Sequence, residues 1–146
     1  TFSTTSGAVT TASCLLCTEG TFSSANGATS LSSCSTCGSG TFSKLLGASS
    51  PGGCQPCVAG SYWTGSGATI PNTCLLCQPS KYSTASGAIS AAACNLCSSG
   101  KYSTAVGADA ISACSACSVG SYASIPGSTF CYLCLAGTYS TVSEAP

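Results

Sequence analysis

The sequence predicts a small disulfide-rich fold, mostly β and irregular: an elongated rod of tandem 20-residue repeats held by a ladder of disulfides. Three observations carry this expectation. Fourteen of the 146 residues are cysteine, a share typical of disulfide scaffolds. A 20-residue period runs through the chain, the signature of a repeat architecture. Large core-forming side chains are scarce, because much of the 44 % hydrophobic fraction is Ala and Cys. A 20-residue unit with one aromatic ring cannot offset roughly 1–2 kcal/mol of backbone ordering per residue by burial alone, so it needs covalent staples.

The repeats are 1–20, 21–40, 41–60, 61–80, 81–100 and 101–120, then a shortened seventh, 121–137, and the start of a further one, 138–146. The chain starts in phase and stops within a repeat, and has neither a signal peptide nor a Met, which reads as a processed chain or a fragment of a longer one. The second position of each repeat holds a ring: Phe2, Phe22, Phe42, Tyr62, Tyr82, Tyr102, Tyr122 and Tyr139. Thr-Phe-Ser and Lys-Tyr-Ser alternate polar and aromatic, as a short strand with one buried face does.

The seventh position is Gly7, Gly27, Gly47, Gly67, Gly87, Gly107 and Gly127, and Glu144 falls in phase with them. Glycine in phase marks a turn with φ > 0 or a close approach, and Asn26-Gly27 is a hairpin-turn dipeptide. Ala follows the glycine in six repeats, with Ser128 in the seventh. The Ser/Thr/Ala-rich stretch from there to the next cysteine reads as a second short strand. Each unit is thus expected to be a β-turn-β loop with C-x-x-C as the joint between units. Each repeat closes on Gly, except that Ser80 takes this place in the fourth. No i, i+3, i+4 apolar stripe survives a repeat, so α-helix is not expected.

The cysteines form seven C-x-x-C pairs and admit several readings. One is the ladder: Cys17–Cys34, Cys37–Cys54, Cys57–Cys74, Cys77–Cys94, Cys97–Cys114 and Cys117–Cys131. It leaves Cys14 and Cys134 to pair across a boundary, with more polypeptide or with a neighbouring subunit. A loop of this size contributes about 3 kcal/mol by chain entropy. A second is zinc, since C-x₂-C-x₁₆-C-x₂-C has zinc-site spacing; seven pairs divide poorly into four-cysteine sites, and there is no His. A redox dithiol, or a disulfide within each C-x-x-C, are further readings.

The run Cys17-x-x-Gly20-Thr21-Phe22-Ser23, with Gly27-Ala28 and Cys34-x-x-Cys37, resembles the ephrin-receptor-like cysteine-rich repeat and the smallest module of tumour-necrosis-factor-receptor cysteine-rich domains. The resemblance covers the whole chain. It implies an elongated, core-poor rod and favours the ladder pairing. Receptor modules vary from one to the next and are charged where they meet ligands. These repeats are uniform and nearly uncharged. A β-solenoid with one 20-residue coil per turn is the alternative fold; it would stack equivalent positions at about 4.8 Å.

Only Lys44, Lys81, Lys101, Glu19, Asp109 and Glu144 carry charge, and they cancel. With no basic patch, a nucleic-acid partner is not expected. No run of 18 apolar residues is present, so direct membrane insertion is not expected either. Disulfide-rich chains belong to oxidising compartments, here extracellular, secreted or at the cell surface. No His-containing catalytic set and no phosphate loop can be assembled, and no cofactor is expected.

Uniform repeats suit a material. The expected role is an extracellular structural protein, a self-assembling filament or surface-appendage subunit, with copies of itself as partners head-to-tail or laterally. The alternative is a cysteine-rich stalk or ligand-binding ectodomain segment of a larger surface protein. Ser and Thr number 48, and without an N-x-Ser/Thr sequon they make O-linked glycans on Ser/Thr the natural modification. Trp63 stands where Ser is usual and is expected to pack beside Tyr62. Lys81 and Lys101 are expected on one solvated face. Pro51-Gly52-Gly53 and Gln55-Pro56 are expected to stiffen a joint. Leu15-Leu16, Leu75-Leu76 and Leu96 are expected to cover neighbouring units or a partner.

Overall fold

In the computed structural model, residue 4 and residues 14–146 are described. The expectations for Phe2 and Gly7 lie outside the described residues. The chain forms two compact units, Thr1–Cys57 with Trp63–Cys74, and Val58–Tyr62 with Leu75–Pro146.

The fold is small, mostly strand and irregular, with tandem hairpins tied by a ladder of disulfides. Twelve two-residue strands make six antiparallel pairs among the described residues. In the first unit these are β1 (Thr21–Phe22) with β2 (Ser35–Thr36) and β3 (Thr41–Phe42) with β4 (Gln55–Pro56). In the second they are β5 (Ser61–Tyr62) with β6 (Leu75–Leu76), β7 (Lys81–Tyr82) with β8 (Asn95–Leu96), β9 (Lys101–Tyr102) with β10 (Ser115–Ala116), and β11 (Ser121–Tyr122) with β12 (Tyr132–Leu133). The register is constant: the ring residue faces the first residue after a cysteine, as in Phe22 opposite Ser35.

The second strand is therefore displaced from where the sequence pattern puts it. It lies inside C-x-x-C, which belongs to the hairpin and is not a joint between units. The Ser/Thr/Ala-rich stretch instead ends in a 3-10 turn, at Leu31–Ser33, Pro51–Gly53, Pro71–Thr73, Ala91–Ala93 and Ile111–Ala113. The stretch is rich in small residues with weak strand preference. Pro51 and Pro71 stand at the start of their turns, where a preset φ and a missing N–H cost nothing. Pro51-Gly52-Gly53 is thus such a turn, and Gln55-Pro56 is the strand β4.

Six disulfides close the hairpins: Cys17–Cys34, Cys37–Cys54, Cys57–Cys74, Cys77–Cys94, Cys97–Cys114 and Cys117–Cys131. The first five span 17 residues and the sixth 14, so the deletion in repeat 7 is absorbed without loss of the bond. Repeats this poor in apolar bulk bury sulfur instead. The second cysteine of each C-x-x-C from Cys17 to Cys117 is essentially inaccessible, and the remaining core is Ala48, Ala68, Ala88, Ala108 and Ala123 with Ser23, Ser43, Ser83 and Ser103.

The ring positions do not fill this core as expected. Phe22, Phe42, Tyr62, Tyr82, Tyr102 and Tyr122 are half-buried, and Tyr139 is exposed. The side chains enclosed are instead the cystines, alanines and serines. The buried serines turn the chain: Ser43 Oγ accepts from the Leu45 N–H at 3.2 Å and Ser103 Oγ from the Ala105 N–H at 3.2 Å, the local bond that favours Ser in turns.

Solenoid stacking is not what joins repeats. Phe22, Phe42, Tyr62, Tyr82 and Tyr102 each make an isolated parallel bridge to the residue after the next repeat's turn glycine, as in Phe22 with Ala48, Phe42 with Ala68 and Tyr62 with Ala88. The pairing step is thus 26 residues, so equivalent positions do not stack on one another.

Candidate functional site

Among the described residues no group of three or more His, Cys, Asp or Glu could hold a metal ion, and the candidate site taken is the surface by which one repeat binds another. Its bonds recur with the period. The closing-position N–H donates to the third residue two repeats on: Gly20 to Ser43 O at 2.9 Å, Gly60 to Ser83 O at 2.8 Å, Gly100 to Ala123 O at 2.8 Å. The third residue's own N–H donates to the residue after the turn glycine, as in Ser23 to Ala48 O at 2.9 Å and Ser83 to Ala108 O at 3.0 Å.

A second set also skips a repeat. The turn-glycine N–H donates to the second cysteine carbonyl two repeats earlier: Gly47 to Cys17 O at 2.7 Å, Gly67 to Cys37 O, Gly107 to Cys77 O and Gly127 to Cys97 O at 2.8 Å. Beside each bond, the residue before that cysteine lies over the glycine: Leu16 over Gly47, Thr36 over Gly67, Leu76 over Gly107 and Leu96 over Gly127. This places Leu16, Leu76 and Leu96, three of the five leucines expected to cover neighbouring units. They still expose about half their surface.

The same approach explains the closing glycines, whose role the repeat pattern alone does not reveal. Gly60 has φ +78, and a Cβ there would overlap the Gly107 carbonyl; Gly20 stands in the same way against Gly67. The turn demands φ > 0 at its third residue, and the neighbouring backbone leaves no space for a side chain. The turn glycines Gly27, Gly47, Gly67, Gly87, Gly107 and Gly127 all have positive φ. Among the described residues, two other than glycine share that conformation, Ser80 (φ 63) and Glu144 (φ 60). They are the two departures from glycine that the period exposes. Pro79, before Ser80, supplies the preset φ that this turn favours at its second residue.

Three side chains stand apart from the repeat. Trp63 folds over Gly65, where a Cβ would come within 2.7 Å of its Cζ2, and its indole N–H is buried without a partner. Trp occupies the buried-serine position and is too large for it, so the ring turns outward onto the nearest residue lacking a side chain. Lys101 Nζ lies 3.2 Å from Glu144 Oε1, so it is paired. Tyr132 gathers Tyr122 and Phe130 at centroid distances of 5.8 and 4.6 Å.

At the far end of repeat 7 the bonding set is left open. Phe130, Tyr132, Leu133 (77 % exposed), Leu135 (75 %), Tyr139 (86 %) and Val142 are all uncovered. Cys134 and the exposed Cys14 are the free thiols. The other twelve cysteines are cystines, which offer no thiolate to a metal or to dithiol exchange, so the zinc and redox readings do not describe them. No helix among the described residues is long and apolar enough to cross a membrane. This density of disulfides belongs to an oxidising environment.

The chain is thus a tandem cysteine-ladder repeat protein, in which, among the described residues of each unit, backbone bonds join a repeat to the next and to the one beyond. No protein-family model matches it, and no curated protein is significantly similar to it in sequence.

Proposed function

We propose that this chain is an extracellular structural repeat protein whose copies assemble with one another, carrying O-linked glycans on its exposed Ser and Thr residues and having no catalytic role. The observation that carries the reading is the sameness of the bonded steps. Each step uses backbone donors and acceptors in the same places, with glycine, alanine and cystine as the only recurrent requirements. Such a surface recognises another repeat, because backbone pairing with small buried side chains matches whatever carries the same period. The nearly uncharged exterior offers no electrostatic pattern for an unlike partner. The kinship to ephrin-receptor-like repeats is part of the same proposal.

The test is sedimentation of the oxidised full chain over a range of concentrations, with electron microscopy of the heavy fraction. Polymers that lengthen with concentration are expected. A monomer at every concentration overturns the reading. Intact mass of native material tests the glycans, since a mass equal to that of the bare chain removes them.

A further inference from the structure

Among the described hairpins, only that of repeat 7 sets a phenol opposite a phenol. The register places Tyr122 across from Tyr132 on β11 and β12. Opposite the other rings it places Ser35, Gln55, Leu75, Asn95 and Ser115. The Tyr122 and Tyr132 rings stand 5.8 Å apart between centroids and are tilted by 32°, a separation at which the rings touch. A further ring supports the placement of Tyr132, since Phe130 meets it edge-on at 4.6 Å.

Neither phenol is shut away. Tyr132 is about half exposed and Tyr122 half-buried. This exposure belongs to the position in the hairpin. The first residue after the cysteine is exposed in each described hairpin, and so it is at Ser35, Leu75 and Asn95, with whole repeats on either side. A small oxidant therefore reaches a pair of phenols that are already in contact.

We propose that Tyr122 and Tyr132 are a site of oxidative cross-linking, where hydrogen peroxide, acting through a one-electron oxidant, joins the two rings as dityrosine within one chain. The link forms inside one hairpin and does not depend on assembly between copies. Each phenol gives up one electron and its hydroxyl proton and becomes a phenoxyl radical. The two radicals couple at ring carbons ortho to oxygen, forming one carbon–carbon bond. The two ortho hydrogens then shift to the oxygens and restore both phenols. The electrons and protons released reduce one hydrogen peroxide to two waters, and the chain loses two hydrogen atoms.

The oxidising environment that the disulfide ladder requires suits this chemistry. The new bond closes the hairpin that Cys117–Cys131 also closes, and thiols that open the cystine do not open it.

The experiment treats the full, disulfide-intact chain with a haem peroxidase and limiting hydrogen peroxide. Dityrosine fluorescence, intact mass and cross-linked peptides are followed. Rings held in contact meet at an effective concentration of about 1 mM or more, roughly a thousandfold above a chain dissolved at about 1 μM, so coupling inside the hairpin should outrun coupling between copies. The expected product is a single chain, lighter by two hydrogen atoms, with Tyr122 joined to Tyr132 as the dominant link. Tyr132→Phe keeps the ring and removes the hydroxyl, and it should lose that link with the cystines intact; Tyr82→Phe should keep it. The reduced, unfolded chain should spread its coupling over the six tyrosines.

Coupling led by Tyr139, the most exposed tyrosine among the described residues, would mean that access alone selects the rings, and it overturns the proposal. A Tyr122–Tyr132 link formed equally well by the unfolded chain overturns it too, as does oxidation of tyrosine without that link. Links chiefly between copies overturn it and leave self-assembly standing. The Tyr122–Tyr132 link in a chain that stays monomeric at every concentration supports it and overturns self-assembly alone.

Discussion

Replacing Gly60 by Ala separates the two demands made on a closing glycine, provided Gly120→Ala is measured beside it. Both positions have nearly the same φ, +78 and +77. A Cβ on Gly60 would overlap the Gly107 carbonyl, whereas a Cβ on Gly120 meets nothing within 4 Å. Gly120→Ala therefore carries only the left-handed penalty, about 1–2 kcal/mol, less about 0.4–1 kcal/mol from stiffening the unfolded chain. Gly60→Ala adds overpacking against rigid backbone, about 1–3 kcal/mol. The net expectation is about 1 kcal/mol for Gly120→Ala and about 2–4 kcal/mol for Gly60→Ala. Amide exchange is the suitable assay, because repeat arrays open locally. The Gly107 N–H, bonded to Cys77 O at 2.8 Å, reports the contact, and it should exchange roughly thirty- to several-hundred-fold faster in Gly60→Ala. Equal effects of the two substitutions would refute the contact between Gly60 and Gly107 and leave only the turn.

Ser80→Gly should raise stability by about 0.5–1 kcal/mol, the relief of its left-handed conformation less the entropy restored to the unfolded chain; an unchanged or lower melting temperature counts against it. Replacing both Cys77 and Cys94 by Ser should cost about 3 kcal/mol, with faster exchange across 81–96 and at Gly107 while Ser23 and Ser43 in the other unit keep their protection. Uniform loss of protection along the chain would show that the rungs are not separately stapled. Emission from the single Trp63 should be blue-shifted relative to the reduced, unfolded chain, and Gly65→Ala should shift it to the red by lifting the ring. No shift on Gly65→Ala would mean that the ring does not lie over that glycine.

Much of this architecture is readable from one repeat. Turn glycines, the closing glycine and the cysteine spacing describe a stapled loop, and the loop is present in each described repeat. What one repeat cannot reveal is where its neighbours touch it. In a strictly periodic chain every residue recurs at each multiple of 20, so a partner 6, 26 or 46 residues away presents the same side chain. The bridge from Phe22 to Ala48 is invisible to pattern for that reason. The placement of β2 between Cys34 and Cys37 was hidden for a different one. Ser35-Thr36 and Leu75-Leu76 have nothing in common as side chains, and backbone bonds such as Cys37 N–H to Gly20 O at 2.8 Å select the strand. The small core is not legible because a ring at the second position of every repeat draws attention from the alanine and serine that are in fact enclosed.

Irregularities remove the degeneracy that the period creates, and they come in pairs. Closing positions meet turn positions three repeats on, as Gly20 meets Gly67 and Gly60 meets Gly107. By the same 47-residue step Ser80 faces Gly127, and Ser80 Oγ lies 3.6 Å from where a Cβ on Gly127 would stand. Ser80 is the one closing residue with a side chain, and the repeat it faces is the one that has lost three residues and carries Ser128 in place of Ala. A Cβ at the closing position needs its neighbour set back. The neighbouring bond agrees, since Ser103 N–H to Ser128 O is 3.2 Å where its counterparts are 2.9–3.1 Å. The two departures are therefore one accommodation, and they are coupled. Ser80→Gly should let repeat 7 settle and slow exchange at Ser103, whereas a glycine already present, as at Gly60, leaves nothing to relieve. Exchange at Ser103 unchanged by Ser80→Gly would separate the two departures again and leave the shortened repeat without a structural partner.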